Sequence, residues 1–558
     1  MRLIIIYTAL VAIGLACPQK SPANNTGISV DTLTNLIDAN VAPFNQLHPG
    51  DTVLFEPGRH DFILIRNFTG AAGMPIIFMN KNGIVTIDTD HYFGISIQNC
   101  RFIRLTGSGN ETNFYGFKIT RVQNGAGIGV NDMSSDFEID HISIENSPIG
   151  GIYAKTDPDC SFQSTRDKFT QYNTVIHDNY IANVGNEGLY IGSTKYSGQT
   201  VTCNGKDTLL LPSLLQGVRI FNNIIRYTGW DGIQVSSASS DCNVFNNQIL
   251  YDSQAEYSGQ MSGIILGGGS KCDCFNNYIS QGKGDGIESH GLGGNRIFNN
   301  IIVDAGRTFL PMDNSQMKHG IFVSDVSAIN DSSFYILFND IINPKSDGIR
   351  FQSIKSKNNL IVSNLIINPG NFEFYQNGNT SFRGEDAYIM LPNAASDVNI
   401  KNNFLSLNIF SARISTTDYA ILPGSPLING AFSNSMGINF DFANNPRPSG
   451  NSIDIGALEF DPGQIGIDSN IDNPMKPVLF PNPVHSLLTI KYHIDAPSCT
   501  ELYVYNLYGT LIFQKQQDAV TFSEQEIQIE VGNLTAGIYI YKIQAGNEIE
   551  YGKFIKVE

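Results

Sequence analysis

Glu288, His290 and Arg350 are the side chains of this sequence best suited to chemistry. Glu288 and Arg350 close two near-identical phrases, Asp285-Gly286-Ile287-Glu288 and Asp347-Gly348-Ile349-Arg350. In a strand whose Ile points inward, the residue two past the Gly points outward, and two further on come His290 and Gln352. Proton abstraction beside a uronic-acid carboxylate needs a base, which His290 or Lys318 supplies, and a cation, which Arg350 supplies. Glycoside hydrolysis needs two carboxylates about the bond, and Glu288 with Asp231, Asp285 or Asp325 supplies those. The outward positions of other Gly phrases hold Tyr153, Tyr190, Gln234 and Ser236, and the only Trp, Trp230, lies at their edge. Aromatic faces pack on sugar rings while amides bind hydroxyls. Glu288, His290 and Arg350 are therefore the catalytic candidates, and Tyr190, Trp230, Gln234 and Gln352 the substrate-binding ones. The Asp before Gly in Asp231, Asp285 and Asp347 recurs by turn, which fits turn capping better than catalysis.

The element that must position these residues is a repeat. Phe221-Asn222-Asn223, Phe245-Asn246-Asn247, Phe275-Asn276-Asn277 and Phe298-Asn299-Asn300 share one phrase, with a variant in Phe338-Asn339-Asp340. Asn223 to Asn247 is 24 residues and Asn277 to Asn300 is 23. A gap of 30 (Asn247 to Asn277) or 40 (Asn300 to Asp340) is one turn plus an insertion. Short runs alternate apolar and polar residues between Gly, Asn and Asp, which is strand grammar with turn chemistry and no amphipathic helix. Stacked turns follow, with corner Asn residues about 4.8 Å apart bonding to one another and to turn backbone. Insertions at 155–172, 193–216, 251–261, 303–318 and 367–385 interrupt the stack. Loops gathered on a rigid scaffold are where function concentrates.

The 558 residues include 53 Gly, and the net charge is −17. That charge argues against nucleic acid and anionic membrane surfaces as partners. Arg2, the apolar run Leu3 to Leu15 and small residues before Cys17 read as a signal peptide over 1–16. The position three before Cys17 is Gly14 where a lipobox carries Leu. No later apolar run is long enough to span a bilayer. Export permits disulfides. Cys242 and Cys272 each stand three before a repeat Phe, hence in one column, and Cys160 and Cys203 fall in two insertions. For both pairs a disulfide and buried thiols remain open. Cys272-Asp273-Cys274 lacks partners at zinc spacing. No metal ligands or cofactor are identified, and a calcium requirement is left open.

Residues 17–44 read as a polar leader and a helical N-terminal cap, because Val30, Leu33, Leu36, Ile37 and Val41 keep helical spacing. The coil occupies 45–422, and 423–476 reads as an end cap and linker. Pro49-Gly50-Asp51-Thr52-Val53, Pro57-Gly58-Arg59, Pro75-Ile76-Ile77 and Val85-Thr86-Ile87 resemble the opening turns of right-handed parallel β-helix proteins of the pectin-lyase-like superfamily, chondroitinase-B and alginate-lyase relatives especially. The resemblance implies an all-β chain that acts on extracellular polysaccharide as a lyase or hydrolase, or binds glycan without catalysis as a surface adhesin. Relatives of the chondroitinase-B type use a Lys and an Arg from nearby turns. Here Lys318 precedes its Gly by two and Arg350 follows its Gly by two, so the pair is out of register.

Residues 477–558 alternate in short strands, predicting a small β-sandwich. Phe480-Pro481-Asn482-Pro483, Asn506-Leu507-Tyr508-Gly509, Leu534-Thr535-Ala536-Gly537 and Lys553-Phe554-Ile555-Lys556-Val557 resemble the C-terminal sorting domain of the Bacteroidetes type IX secretion system. That resemblance implies a secreted or cell-surface protein whose last domain is read by the secretion machinery.

Overall fold

The computed structural model describes residues 27–461 and 477–557, apart from 111, 312–314, 379, 417, 494–498, 507–509, 519–523 and 546–547. The expected signal peptide over 1–16 and most of the expected linker lie outside the described residues. Each turn of the coil lays down three short strands. In one turn these are Cys272–Phe275, Tyr278–Ser280 and Asp285–Ser289. Each strand pairs in parallel with its equivalent one turn later, for example Cys274 with Ile297, Ile279 with Ile302 and Ile287 with Ile321. Three parallel sheets result, of 14, 12 and 12 strands. We call them the Phe sheet, the connecting sheet and the Gly sheet, in the order the chain visits them. The architecture is a right-handed parallel β-helix, the hand that parallel crossovers almost always take.

Alternation makes the core. Ile220, Val244, Cys274 and Ile297 point inward from the Phe sheet and Ile233, Ile264, Ile287 and Ile321 from the Gly sheet, all essentially inaccessible. The corner between the Phe and connecting sheets is chemical. Asn179, Asn223, Asn247, Asn277, Asn300, Asn339, Asn364 and Asn403 form one ladder, each amide donating to the next at 2.9–3.1 Å. Their oxygens also accept the backbone N–H of the preceding rung, as Asn277 does from Asn247. The first Asn of each corner takes a left-handed conformation (φ 54° at Asn222, 53° at Asn276), which Asn tolerates better than most residues. The variant phrase is shifted by one residue from its expected register. Leu337, not Phe338, pairs with Phe298, and Asn339, not Asp340, joins the ladder. Phe338 turns outward beneath the Arg447 guanidinium, 4.4 Å away.

Two boundary expectations are overturned. The helical N-terminal cap is absent: Gly27–Val30 and Leu36–Asp38 are strands of the first turn, paired with Thr52–Phe55 and Leu64–Arg66. The helical spacing there marks no face, since Leu33 is 86% exposed while Val30 and Ile37 are buried. The segment after 423 is not a plug across the end of the coil but a strap along its flank. Leu427, Ile438, Ile453 and Leu458 cover Phe298, Ile301, Ile342 and Leu365, which face outward and would otherwise be wet. Within the strap the Arg447–Glu459 ion pair is completely buried.

The last domain is a small sandwich. Val478–Phe480, Leu487–His493 and Glu524–Glu530 form one antiparallel sheet, while Leu511–Asp518, Cys499–Asn506, Gly537–Ala545 and Glu548–Lys556 form the other. Leu488, Ile490, Ile527, Leu502, Val504, Ile543 and Phe554 share its core.

Candidate active site on the Gly sheet

All five insertions leave the coil beside the Gly sheet. Residues 155–172 and 193–216 follow Gly strands, whereas 251–261, 303–318 and 367–385 precede them. The outer face of this sheet is thus a floor with loops along both margins. Cys160–Cys203 joins the two loops of one margin, and Cys242–Cys272 ties adjacent rungs of the Phe sheet. On the floor, Tyr153, Tyr190, Gln234, Ile265, Glu288, Phe322 and Arg350 are successive strand partners. The column counted from the Gly positions therefore exists, one residue per rung of about 4.8 Å.

Near the middle of this column lies Glu288. One carboxylate oxygen lies 2.6 Å from Nε2 of His290, and the other accepts from the Ser262 hydroxyl at 2.8 Å. Burial would raise its pKa, but the hydrogen bond and charge of His290, the Ser262 bond and the nearby Lys318 outweigh burial and hold it below the usual range. Lys318, 15% exposed, donates to Asp285 at 3.0 Å and to the Met261 carbonyl at 3.3 Å. Asp285 in turn accepts the backbone N–H of His319, the turn-capping role its position predicts.

Asp231 lies near this centre, and its carboxyl is shifted in the opposite direction. It is inaccessible, and burial, then the charges of Glu288, Glu187 and Asp252, push its carboxyl well above the carboxylate range. Oδ1 of Asp231 has no hydrogen-bond partner among the described residues. With its amide nitrogen turned inward, Gln260 donates toward Asp231 at 2.8 Å, Gln234 at 2.9 Å and Glu187 at 3.3 Å. The amide has two N–H donors for these three acceptors, so at most two of the contacts are hydrogen bonds at once. Burial raises the Glu187 carboxyl as well.

The expected residues separate into two groups. Glu288 and His290 meet, and Asp231 and Lys318 join them. Arg350 does not: among the described residues its ion pair is with Asp347 and none is with Glu288. Its guanidinium pairs with Asp347 at 3.0 Å, whose other oxygen is held by Asn371 and Tyr375. Gln234 is 1% exposed beneath Gln260, so it is not an open sugar contact. Trp230 stacks on Tyr257 of an insertion at 4.6 Å, and Lys155 lies 4.6 Å over the Tyr190 ring. Gln352 is exposed on Ile349–Gln352. Sequence reasoning missed Glu187, although Glu187-Gly188 holds the same place as Asp231-Gly232. It also missed Gln260, which lies in an aperiodic insertion and carries no signal.

A second cluster lies on the Phe sheet. Glu138, Asp140 and His177 bring ligand atoms within 4.8 Å of one another, spacing that suits a cation. Arg104 is that cation: it donates to both Asp140 oxygens at 2.8 and 3.1 Å and lies 3.0 Å from Glu138. His177 bonds Asp178 and Glu138, whose pull overcomes burial and raises its pKa to about 9. A protonated imidazole cannot bind a metal. The three side chains could hold a metal ion only in competition with Arg104 and with the His177 proton.

Residues 478–557 match the secretion system C-terminal sorting domain, so the chain ends in a type IX sorting domain. No curated protein matches the chain. Among solved structures, the pectate lyase Pel9A aligns at 13% identity and TM-score 0.33 over 77% of this chain and 97% of its own. An alginate lyase from Paenibacillus sp. str. FPU-7 aligns at 15% and 0.32, covering 58% of this chain and 95% of its own. The mannuronan C-5 epimerase AlgE4 A-module of Azotobacter vinelandii aligns at 12% and 0.38, covering 64% and 87%. At such identities no residue role passes from one chain to another. Among the described residues no helix is long and apolar enough to cross a membrane.

Proposed function

We propose that the chain is a secreted enzyme that hydrolyses an extracellular polysaccharide on the Gly sheet, with Glu288 as the ionised carboxylate and Asp231 as the proton donor. The observation that carries this reading is the charge balance around Glu288. Lys318 is surrounded by Asp285, Glu288 and Asp231, and it forms an ion pair with Asp285 at 3.0 Å. Cleavage of a uronic-acid chain by elimination builds negative charge beside the substrate carboxylate and needs an uncommitted cation. Glycoside hydrolysis passes through an oxocarbenium-like transition state, which a carboxylate-rich site stabilises. Two acids with environments that drive their protonation apart divide the roles of donor and base.

In this scheme Asp231 gives its proton to the leaving glycosidic oxygen. Glu288, oriented by His290 and Ser262, assists attack at the anomeric carbon from the other side. Gln260 covers Asp231, so its loop, 251–261, lifts to admit the chain. Tyr257 and Trp230 move with or beside that loop, where they meet sugar. The sorting domain delivers the enzyme to the cell exterior.

A panel of neutral glycans and polyuronates tests the reading, followed by reducing ends and by ultraviolet absorbance of unsaturated products. New reducing ends without absorbance are expected from a neutral glycan, and are lost in Glu288→Gln. Absorbance on a polyuronate would replace the scheme with elimination by His290. Binding with neither signal would make the chain a glycan-binding scaffold.

A further inference from the structure

The Gly sheet floor continues well above Glu288, and there it changes character. Ser96, Gly129 and Tyr153 succeed one another in the outward column. Around Gly129 the floor sinks into a cleft of about 800 Å³, walled by Asp159, Ser161 and Ser164 of one insertion and by Tyr92 and Asn124 opposite. That volume falls within the range of small-molecule sites.

Gly129 makes the hollow, and nothing in its surroundings demands a glycine. Its backbone is not left-handed, and an added Cβ would meet only Asn131 Nδ2, at 3.9 Å. By contrast, an added Cβ at Gly127 would come 2.3 Å from Ile144. A strand glycine without a packing or conformational reason weakens the sheet, and such residues mark places where a ligand comes close. The lining is amide, hydroxyl and aromatic, with Asn99, Asn124, Asn131 and Ser96 beside Tyr92 and Phe93. Asn131 brings its Nδ2 to the hollow, a donor for a sugar oxygen. Lys155 is committed to Asp157 at 2.8 Å, and Asp132 and Asp159 add negative charge, so the cleft disfavours an anionic sugar. The disulfide Cys160–Cys203 fixes the wall that carries Asp159 and Ser161.

We infer that this cleft is a remote subsite for a neutral sugar unit of the same polysaccharide. Five rungs separate Gly129 from Glu288, through Tyr153, Tyr190, Gln234 and Ile265. At strand spacing that is roughly 24 Å, longer than any single sugar ring. A chain filling both places is therefore an oligomer threaded along the coil axis, and the enzyme cuts within chains. This inference rests on the hydrolase reading of the Glu288 centre.

The test compares wild type with Gly129→Leu, in the full-length protein and again in a Glu288→Gln background. Xylo-, cello- and manno-oligosaccharides of three and eight units serve as probes, with octagalacturonate as the anionic control. For whichever neutral series wild type cleaves, Gly129→Leu is expected to weaken octamer binding at least tenfold, as the fall in octamer kcat/KM also reports. Trimer turnover and the melting midpoint stay unchanged. Equal octamer affinity and an unchanged octamer-to-trimer rate ratio would overturn the subsite while leaving the hydrolase reading intact. A wild-type protein that cleaves and binds none of the series removes both. Tighter binding of octagalacturonate than of every neutral octamer overturns the assigned chemistry. Should Gly129→Leu lower the melting midpoint, Gly129→Ser, which fills less of the hollow, gives the same comparison.

Discussion

Two clusters on this coil combine histidine, carboxylates and a cation, yet they differ in how completely they satisfy themselves. On the Phe sheet, Arg104 and protonated His177 match Glu138, Asp140 and Asp178, and Asp140 is held down near 2. On the Gly sheet, Asp231 is forced up while Glu288 is forced down, and an Asp231 oxygen is left without a partner. The first arrangement spends its charges on one another and contributes to stability. The second shifts two neighbouring carboxyls in opposite directions, the condition that the proposed hydrolysis uses. Residue type alone would rank the two clusters equally.

The largest effect that sharpens this contrast is Glu288→Gln, expected to lower kcat by about 10³-fold while the melting midpoint moves by less than about 2 °C. A comparable loss of stability would place Glu288 with the structural cluster. Asp231→Asn comes next, with about a 10²-fold loss and a changed pH profile. In wild type, kcat falls on the acid side as Glu288 takes a proton and on the alkaline side as Asp231 loses one; the variant lacks the alkaline limb. An alkaline limb that survives unchanged would assign it elsewhere.

Arg104→Met probes the other cluster. It leaves Asp140 buried with only His141 and Thr106 as close partners, and denaturant unfolding is expected to show a loss of about 2 kcal/mol with kcat/KM unchanged. The pH dependence of stability follows from the same groups. Asp140 lies below its unfolded value, so its contribution of about 2 kcal/mol is whole above pH 3.8 and lost as pH falls toward 2. His177 lies above its unfolded value of 6.5, so its contribution is whole below that pH and lost as pH climbs through about 9. His177→Gln should therefore cost stability at pH 5 and almost none at pH 10. The smallest effect concerns metals: adding calcium or a chelator is expected to leave the melting midpoint in place, because Arg104 already occupies the cation position. A calcium-induced rise that Glu138→Gln abolishes would reverse that assignment.

Most of the coil was legible because its rules are local and periodic. Asn at the corner, Gly before Ile, and an outward residue two places on recur in the turns from Phe221 to Gln352, and the Gly-sheet column follows by counting. What failed had one of two causes. Val30, Leu33 and Ile37 imitate a helix because three apolar residues can fall at that spacing by chance, and pairing with Thr52–Phe55 decides the matter. Phe338 imitates the repeat Phe, but the alternation that buries Ile336 places Leu337 in the column. The site was half legible. Glu288 and His290 share one strand phrase, whereas the Asp231 environment depends on Gln260, brought over from a loop with no period. Arg350 looked equivalent to Glu288 in sequence, and only rung counting separates them.

The flank strap has a consequence for biogenesis. Asn276 reaches the carbonyl of Asp441, 165 residues later, and Asn299 that of Phe440. A secreted chain that crosses its first membrane N-terminus first therefore exposes a greasy side from Phe298 to Ile367 until Leu458 has followed. The truncation limit that matters for solubility lies near residue 460, well past the last rung of the helix.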